Sequence, residues 1–168
     1  MDGVLVDFEL GTVEYITNDL KTGKAPELEE ELGRDYITVE DIKSNKAVRN
    51  YMYKELEHNA DFWENLPWIE NGPELWAAIA PYNPNILTTP MGYGSEIGKQ
   101  AWIDKNLNPT PQKVFMSRDK YRWANKNSIL IDDWTKNTIP WEEHGGIAIL
   151  HRDSDLEKTL SILRELGL

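Results

Sequence analysis

Three short stretches of this sequence set chemically capable side chains directly after an apolar run. Thr88-Thr89-Pro90 follows Ile86-Leu87, Ser117-Arg118-Asp119-Lys120 follows Val114-Phe115-Met116, and Asp132-Asp133 follows Ile129-Leu130-Ile131. Each alone has an ordinary reading, since hydroxyls favour turns, Arg-Asp-Lys makes a solvated loop and Asp-Asp commonly caps a helix. Together they supply a hydroxyl, a cation and an acidic pair, which are the parts needed to hold a phosphoryl group beside a hard divalent cation.

These groups converge only if the apolar runs are strands of a parallel sheet, because ligands of open α/β sheets gather at the carboxyl ends of the strands. After Pro81 the pattern fits: short apolar runs at 85–88, 113–116, 128–131 and 147–150 alternate with amphipathic helices at 95–107, 120–125 and 154–166. Residues 9–80 read instead as a helical block. Leu10, Val13, Ile16 and Leu20 recur on one helical face, Pro26 opens a short helix at 27–31 that Gly33 stops, and Thr38 with Asp41 forms a capping box. That box opens a helix through Ile42, Val48, Tyr51, Met52 and Leu56. The aromatic-dense run 61–68 reads as a structured loop, and Asn71-Gly72-Pro73 starts a helix over 74–80. Trp76, Trp102 and Trp123 fall at helical packing positions. His58, His144 and His151 show no ligand spacing and read as surface or loop histidines, and Gly92 and Gly94 lack the spacing of a dinucleotide fingerprint.

The 168 residues suffice for one compact domain with a small insertion. Eighteen Lys and Arg against 29 Asp and Glu give a net charge of −11, which repels phosphate backbones and argues against duplex nucleic acid or an anionic membrane as partner. A small phosphorylated ligand held by a local cation remains compatible. Without a cysteine, disulfides, thiolate metal sites and thiol nucleophiles are excluded. A mean hydropathy of −0.59 and the lack of a long apolar run predict a cytoplasmic protein.

The first residues complete a pattern. Asp2-Gly3-Val4-Leu5-Val6-Asp7-Phe8 resembles the first motif of the haloacid dehalogenase (HAD) superfamily of phosphohydrolases, Asp-x-Asp-Gly-[Val/Thr]-Leu. In the same order, Thr88 resembles the hydroxyl of the second motif, Lys120 the lysine of the third and Asp132-Asp133 the acidic pair of the fourth. Within the superfamily, Phe62-Trp63 and Ser117 to Lys120 are most similar to the 5'(3')-deoxyribonucleotidases.

The resemblance implies an α/β HAD-like Rossmannoid three-layer core over 1–14 and 76–168, with a helical cap inserted over 15–75. It implies hydrolysis of nucleoside 5'-monophosphates through an aspartyl-phosphate, with Asp2 as acid and base, and with Thr88 and Lys120 on the phosphoryl oxygens. Mg²⁺ would be held by the Asp2 carbonyl, Asp132 and Asp133. Phe8, Phe62 and Trp63 would stack on the base or else weld the cap to the core, and Thr89 and Arg118 would complete the substrate site. A homodimer is also implied.

The pattern departs from the family in one place. The nucleophilic aspartate belongs one residue before Met1, as does the central strand that leads into it, and Asp7, five residues beyond Asp2, is a poor substitute. A natural protein that starts upstream of Met1 would account for this. The alternative is a non-catalytic nucleotide-binding or interaction protein on the same scaffold.

Overall fold

A computed structural model describes residues 1–168. In chain order the elements are α1 (Phe8–Lys21), α2 (Pro26–Leu32), α3 (Val39–Ser44), α4 (Lys46–Leu56), α5 (Ala60–Glu64), α6 (Gly72–Ile79), β1 (Ile86–Thr88), α7 (Tyr93–Asn106), β2 (Val114–Met116), β3 (Ile129–Asp132), α8 (Thr135–Glu143), β4 (Ile147–Leu150) and α9 (Leu156–Glu165). Short 3-10 turns cover Ala80–Tyr82, Lys120–Trp123 and Asp153–Asp155. The protein is therefore of the mixed α/β class. None of its helices is long and apolar enough to cross a membrane.

The chain forms two compact units. One comprises Met1–Asp7, Trp68–Pro90 and Ile103–Leu168, the other Phe8–Pro67 and Met91–Trp102. The helical unit thus begins at Phe8, where α1 starts, and takes in 91–102, which the sequence reading places in the core. Gly98 explains the second difference: a Cβ there would lie 2.2 Å from the Ala60 carbonyl oxygen and 2.5 Å from the Trp63 Cβ, so α7 packs backbone-close on α5.

Local signals decide much of the helical unit. Pro26 sits in the first turn of α2, and Gly33 ends it at φ +64°. The Thr38 hydroxyl accepts from Asp41 N while the Asp41 carboxylate accepts from Thr38 N, so the capping box forms. The helix expected to continue to Leu56 instead breaks at Asn45, whose side chain accepts from Ala47 N and Val48 N at 2.9 and 3.2 Å and caps α4 afresh. The expected loop at 61–68 begins as α5, capped by Asn59 Oδ1 on Phe62 N at 3.0 Å.

In the α/β unit, four expected strands form within a residue of their predicted bounds. β1 pairs parallel with β2, Ile86 opposite Val114 and Thr88 opposite Met116, and β3 pairs parallel with β4, Ile129 opposite Ile147 and Asp132 opposite Leu150. They make two separate two-stranded sheets rather than one. Ile86, Leu87, Phe115, Ile129, Leu130 and Ile131 line a cavity of about 930 Å³, joined by Met1, Val4 and Leu5. Residues 1–6 fold into tight turns in which the Met1 carbonyl receives the N–H groups of Val4, Leu5 and Val6. Helix α8 lay outside the sequence reading, because Pro140 within it interrupts the helical pattern.

His151, expected at the surface, is fully buried after β4, with Nδ1 2.9 Å from Thr159 Oγ1 of α9 and Nε2 without a partner. Burial holds its pKa below the ordinary 6.5, ahead of the opposing pull of Asp153 and Asp155. The unfolded chain therefore binds the extra proton first, and stability falls as pH drops through about 6.5 towards the lowered value. The urea midpoint is expected to fall between pH 7 and pH 5, and to fall less in His151→Gln. Equal slopes in both proteins would show that this ring does not govern acid stability.

Candidate functional site

The carboxyl ends of β1, β2 and β3 present the groups singled out from sequence. Lys120, in the 3-10 turn after β2, places Nζ 2.6 Å from Asp132 Oδ2 at the end of β3, with side-chain exposures of 8% and 3%. The pair ties the end of one sheet to the end of the other. The second carboxylate oxygen is also engaged: Asp132 Oδ1 accepts from Trp134 N at 3.0 Å and from Asn137 Nδ2 at 2.9 Å. A buried ion pair persists only when its remaining lone pairs are satisfied in this way. Asn137, on the first turn of α8, went unnoticed in the sequence because the helix that carries it was not foreseen.

Asp133 lies against the N-terminal turn. Gly3, at φ +68°, has no room for a Cβ, which would sit 2.3 Å from Asp133 Oδ2. Glycine is thus demanded there both by the left-handed backbone and by the carboxylate beside it. Burial, and then the neighbouring Asp132 charge, raise the pKa of Asp133, while the amino terminus and Lys120 pull it down. The Asp133 carbonyl receives a hydrogen bond from Arg152, a contact across 19 residues that no spacing rule reveals.

Thr88 is buried at the last pair of β1, and its carbonyl accepts from Ser117 N at 2.8 Å. The Thr89 hydroxyl donates to the Ser117 carbonyl at 3.1 Å, and Ser117 Oγ accepts from Asp119 N at 3.2 Å. These bonds fix the two loops that follow β1 and β2. Asp2 is half-buried and bridges Val6, whereas Arg118 is exposed.

The donors do not fit a divalent cation as they stand. No group of three or more His, Asp or Glu side chains is gathered anywhere, and both Asp132 oxygens are occupied by an ammonium and two N–H donors. As the side chains lie, a lysine ammonium supplies the positive charge beside Asp132.

The expected base-stacking residues lie in the helical unit and occupy one another. Phe8 stacks on Trp63 with centroids 5.2 Å apart at 11°, and Phe62 meets Trp63 edge-on at 5.3 Å and 86°. Trp63 is 2% exposed and donates its indole N–H to the Leu56 carbonyl at 2.8 Å, while Lys99 Nζ sits 4.8 Å over its ring. Trp63 and Phe62 accordingly hold the helices together, and no open ring face is left on Trp63 for a base. Lys99 is itself 1% exposed, a burial that no motif or spacing in the sequence signals.

Compared with protein-family models, curated proteins and solved structures, the chain finds no match in any of the three.

Proposed function

We propose that the protein is a HAD-like phosphohydrolase scaffold of the 5'(3')-deoxyribonucleotidase type, cytoplasmic, which binds nucleoside 5'-monophosphates through their phosphate. The observation that carries this reading is the buried Lys120–Asp132 pair at the carboxyl ends of parallel strands, with the Gly3 turn packed on Asp133. A buried ammonium and a strand-end hydroxyl are suited to the equatorial oxygens of a phosphoryl group. Lys120 and Thr88 would receive those oxygens, and the Asp2 carboxyl would give its proton to the leaving ester oxygen.

The covalent step needs a carboxylate in line with phosphorus, which the family resemblance sets one residue before Met1. These 168 residues are accordingly expected to bind substrate without releasing phosphate. The occupied Asp132 carboxylate favours a second reading, a nucleotide-binding protein without catalysis. Titration calorimetry tests the shared claim. A deoxypyrimidine 5'-monophosphate should bind, the parent nucleoside should not, and the double variant Lys120→Met/Asp132→Asn should weaken binding about 10- to 100-fold, the worth of one charged hydrogen bond. Equal affinity for nucleoside and nucleotide would refute phosphate recognition. A phosphate-release assay on the same sample separates the two readings: steady turnover would place the nucleophile within the 168 residues.

A further inference from the structure

Lys120 reaches Asp132 from the 3-10 turn Lys120–Trp123, which has no side-chain cap at Asp119 and is closed by Arg122 N on the Asp119 carbonyl at 3.2 Å and Ala124 N on the Tyr121 carbonyl at 2.9 Å. A lone 3-10 turn has poor hydrogen-bond geometry and does not hold its own place. The Arg122–Asp119 ion pair and the Asp119 N bond to Ser117 Oγ stay within the loop itself. Two ring contacts dock it. Trp123 lies 5.2 Å from Phe115 of β2, which joins the turn to its own sheet, and Tyr121 lies 4.6 Å from the His144 ring at an interplanar angle of 36°. His144 ends α8, the helix packed on β3 and β4, so the second contact crosses to the other sheet. The imidazole is itself set, because its Nδ1 donates to the Pro140 carbonyl at 2.8 Å in the last turn of α8. One helix thus touches both halves of the buried pair: Asn137 in its first turn bonds Asp132 Oδ1 at 2.9 Å, and His144 at its other end meets the turn that carries Lys120.

We infer that Tyr121 and His144 are positioning residues, whose ring contact clamps the Lys120 turn to α8 so that the ammonium keeps its place when a phosphate draws it from Asp132. The inference rests on the phosphate-binding reading for its ligand. In the structure the 2.6 Å contact of Nζ with Asp132 Oδ2 also ties the turn to β3. An arriving phosphate competes for that same ammonium, and a tether made by the exchanging group cannot hold the turn during the exchange. The Tyr121–His144 contact uses no donor of Nζ and survives it. A turn fixed before the ligand arrives loses less freedom on binding, and the ligand is held more tightly by that amount.

Hydrogen exchange at the Arg122 and Ala124 amides, which close the turn, tests the clamp, and titration calorimetry with thymidine 5'-monophosphate tests what the clamp does for the ligand. Tyr121→Ala and His144→Ala are each expected to speed exchange at both amides on the order of 10-fold, the worth of one aromatic pair, and the two changes together no more than either alone. Nucleotide affinity should fall by a similar factor in the folded alanine variants. Tyr121→Phe keeps the ring and should restore both readouts to wild type. In the Lys120→Met/Asp132→Asn protein, Tyr121→Ala should leave the residual affinity as it is, because Tyr121 acts through the ammonium. Wild-type exchange in Tyr121→Ala would overturn the clamp, and so would unchanged affinity beside fast exchange. A further loss of affinity in the protein without the ammonium would assign Tyr121 to the ligand itself and overturn its positioning role. A wild type that does not bind the nucleotide would instead refute the phosphate-binding reading, with the two amides still deciding whether the rings hold the turn.

Discussion

Replacing Lys120 by methionine is expected to lower folding stability by about 3–5 kcal/mol, the usual result of leaving one member of a buried ion pair without the other. The size follows from the geometry, because the Asp132 carboxylate is 3% exposed and Oδ2 has its 2.6 Å contact with the ammonium. The second variant that decides the matter is Lys120→Met/Asp132→Asn. The amide keeps an oxygen for Trp134 N and the Asn137 side chain, removes the orphaned charge and should recover most of the loss. Urea denaturation of wild type, both single variants and the double variant closes the cycle. A loss below about 1 kcal/mol in Lys120→Met would mean that the pair behaves as an exposed one, and the assignment of a buried, charged strand-end site would fail.

Trp63→Ala is expected to cost about 3–5 kcal/mol, as for other large-to-small changes at a fully packed aromatic. Three partners depend on this ring at once: Phe8 stacked on it, Phe62 edge-on to it and the Leu56 carbonyl that takes its N–H. Trp63→Phe keeps most of the packing but removes the indole donor from the Leu56 carbonyl, which keeps its 3.4 Å bond from Asn59 N, and should cost about 1 kcal/mol. Calorimetric titration of both variants under conditions where they are folded should show nucleotide and inorganic phosphate affected alike. A selective loss of nucleotide affinity in Trp63→Phe would restore the indole to the role of a base platform.

The two expected effects show where sequence reasoning reached and where it stopped. The Lys120–Asp132 site was visible as separate residues, because each follows an apolar run that has the length and β-branched content of a strand. That the lysine closes on the aspartate could not be read, since 12 residues and a change of sheet separate them. Phe8, Phe62 and Trp63 stand out in the sequence as aromatic residues, yet their mutual stacking depends on a contact across more than 50 residues of chain.

The sequence by itself determined the elements whose causes are local. The Thr38–Asp41 capping box acts between residues three apart, Pro26 and Gly33 bound α2 through their own backbone preferences, and the four strands announce themselves by short apolar runs. Tertiary structure alone decided the rest. It buried His151, split the strands into two sheets about an apolar slot, joined 91–102 to the helical unit through Gly98, and paired Asp132 with Lys120. The physical reason is that burial and pairing are set by which distant surfaces exclude water from one another, and a buried charge takes whichever counter-charge the fold brings within reach.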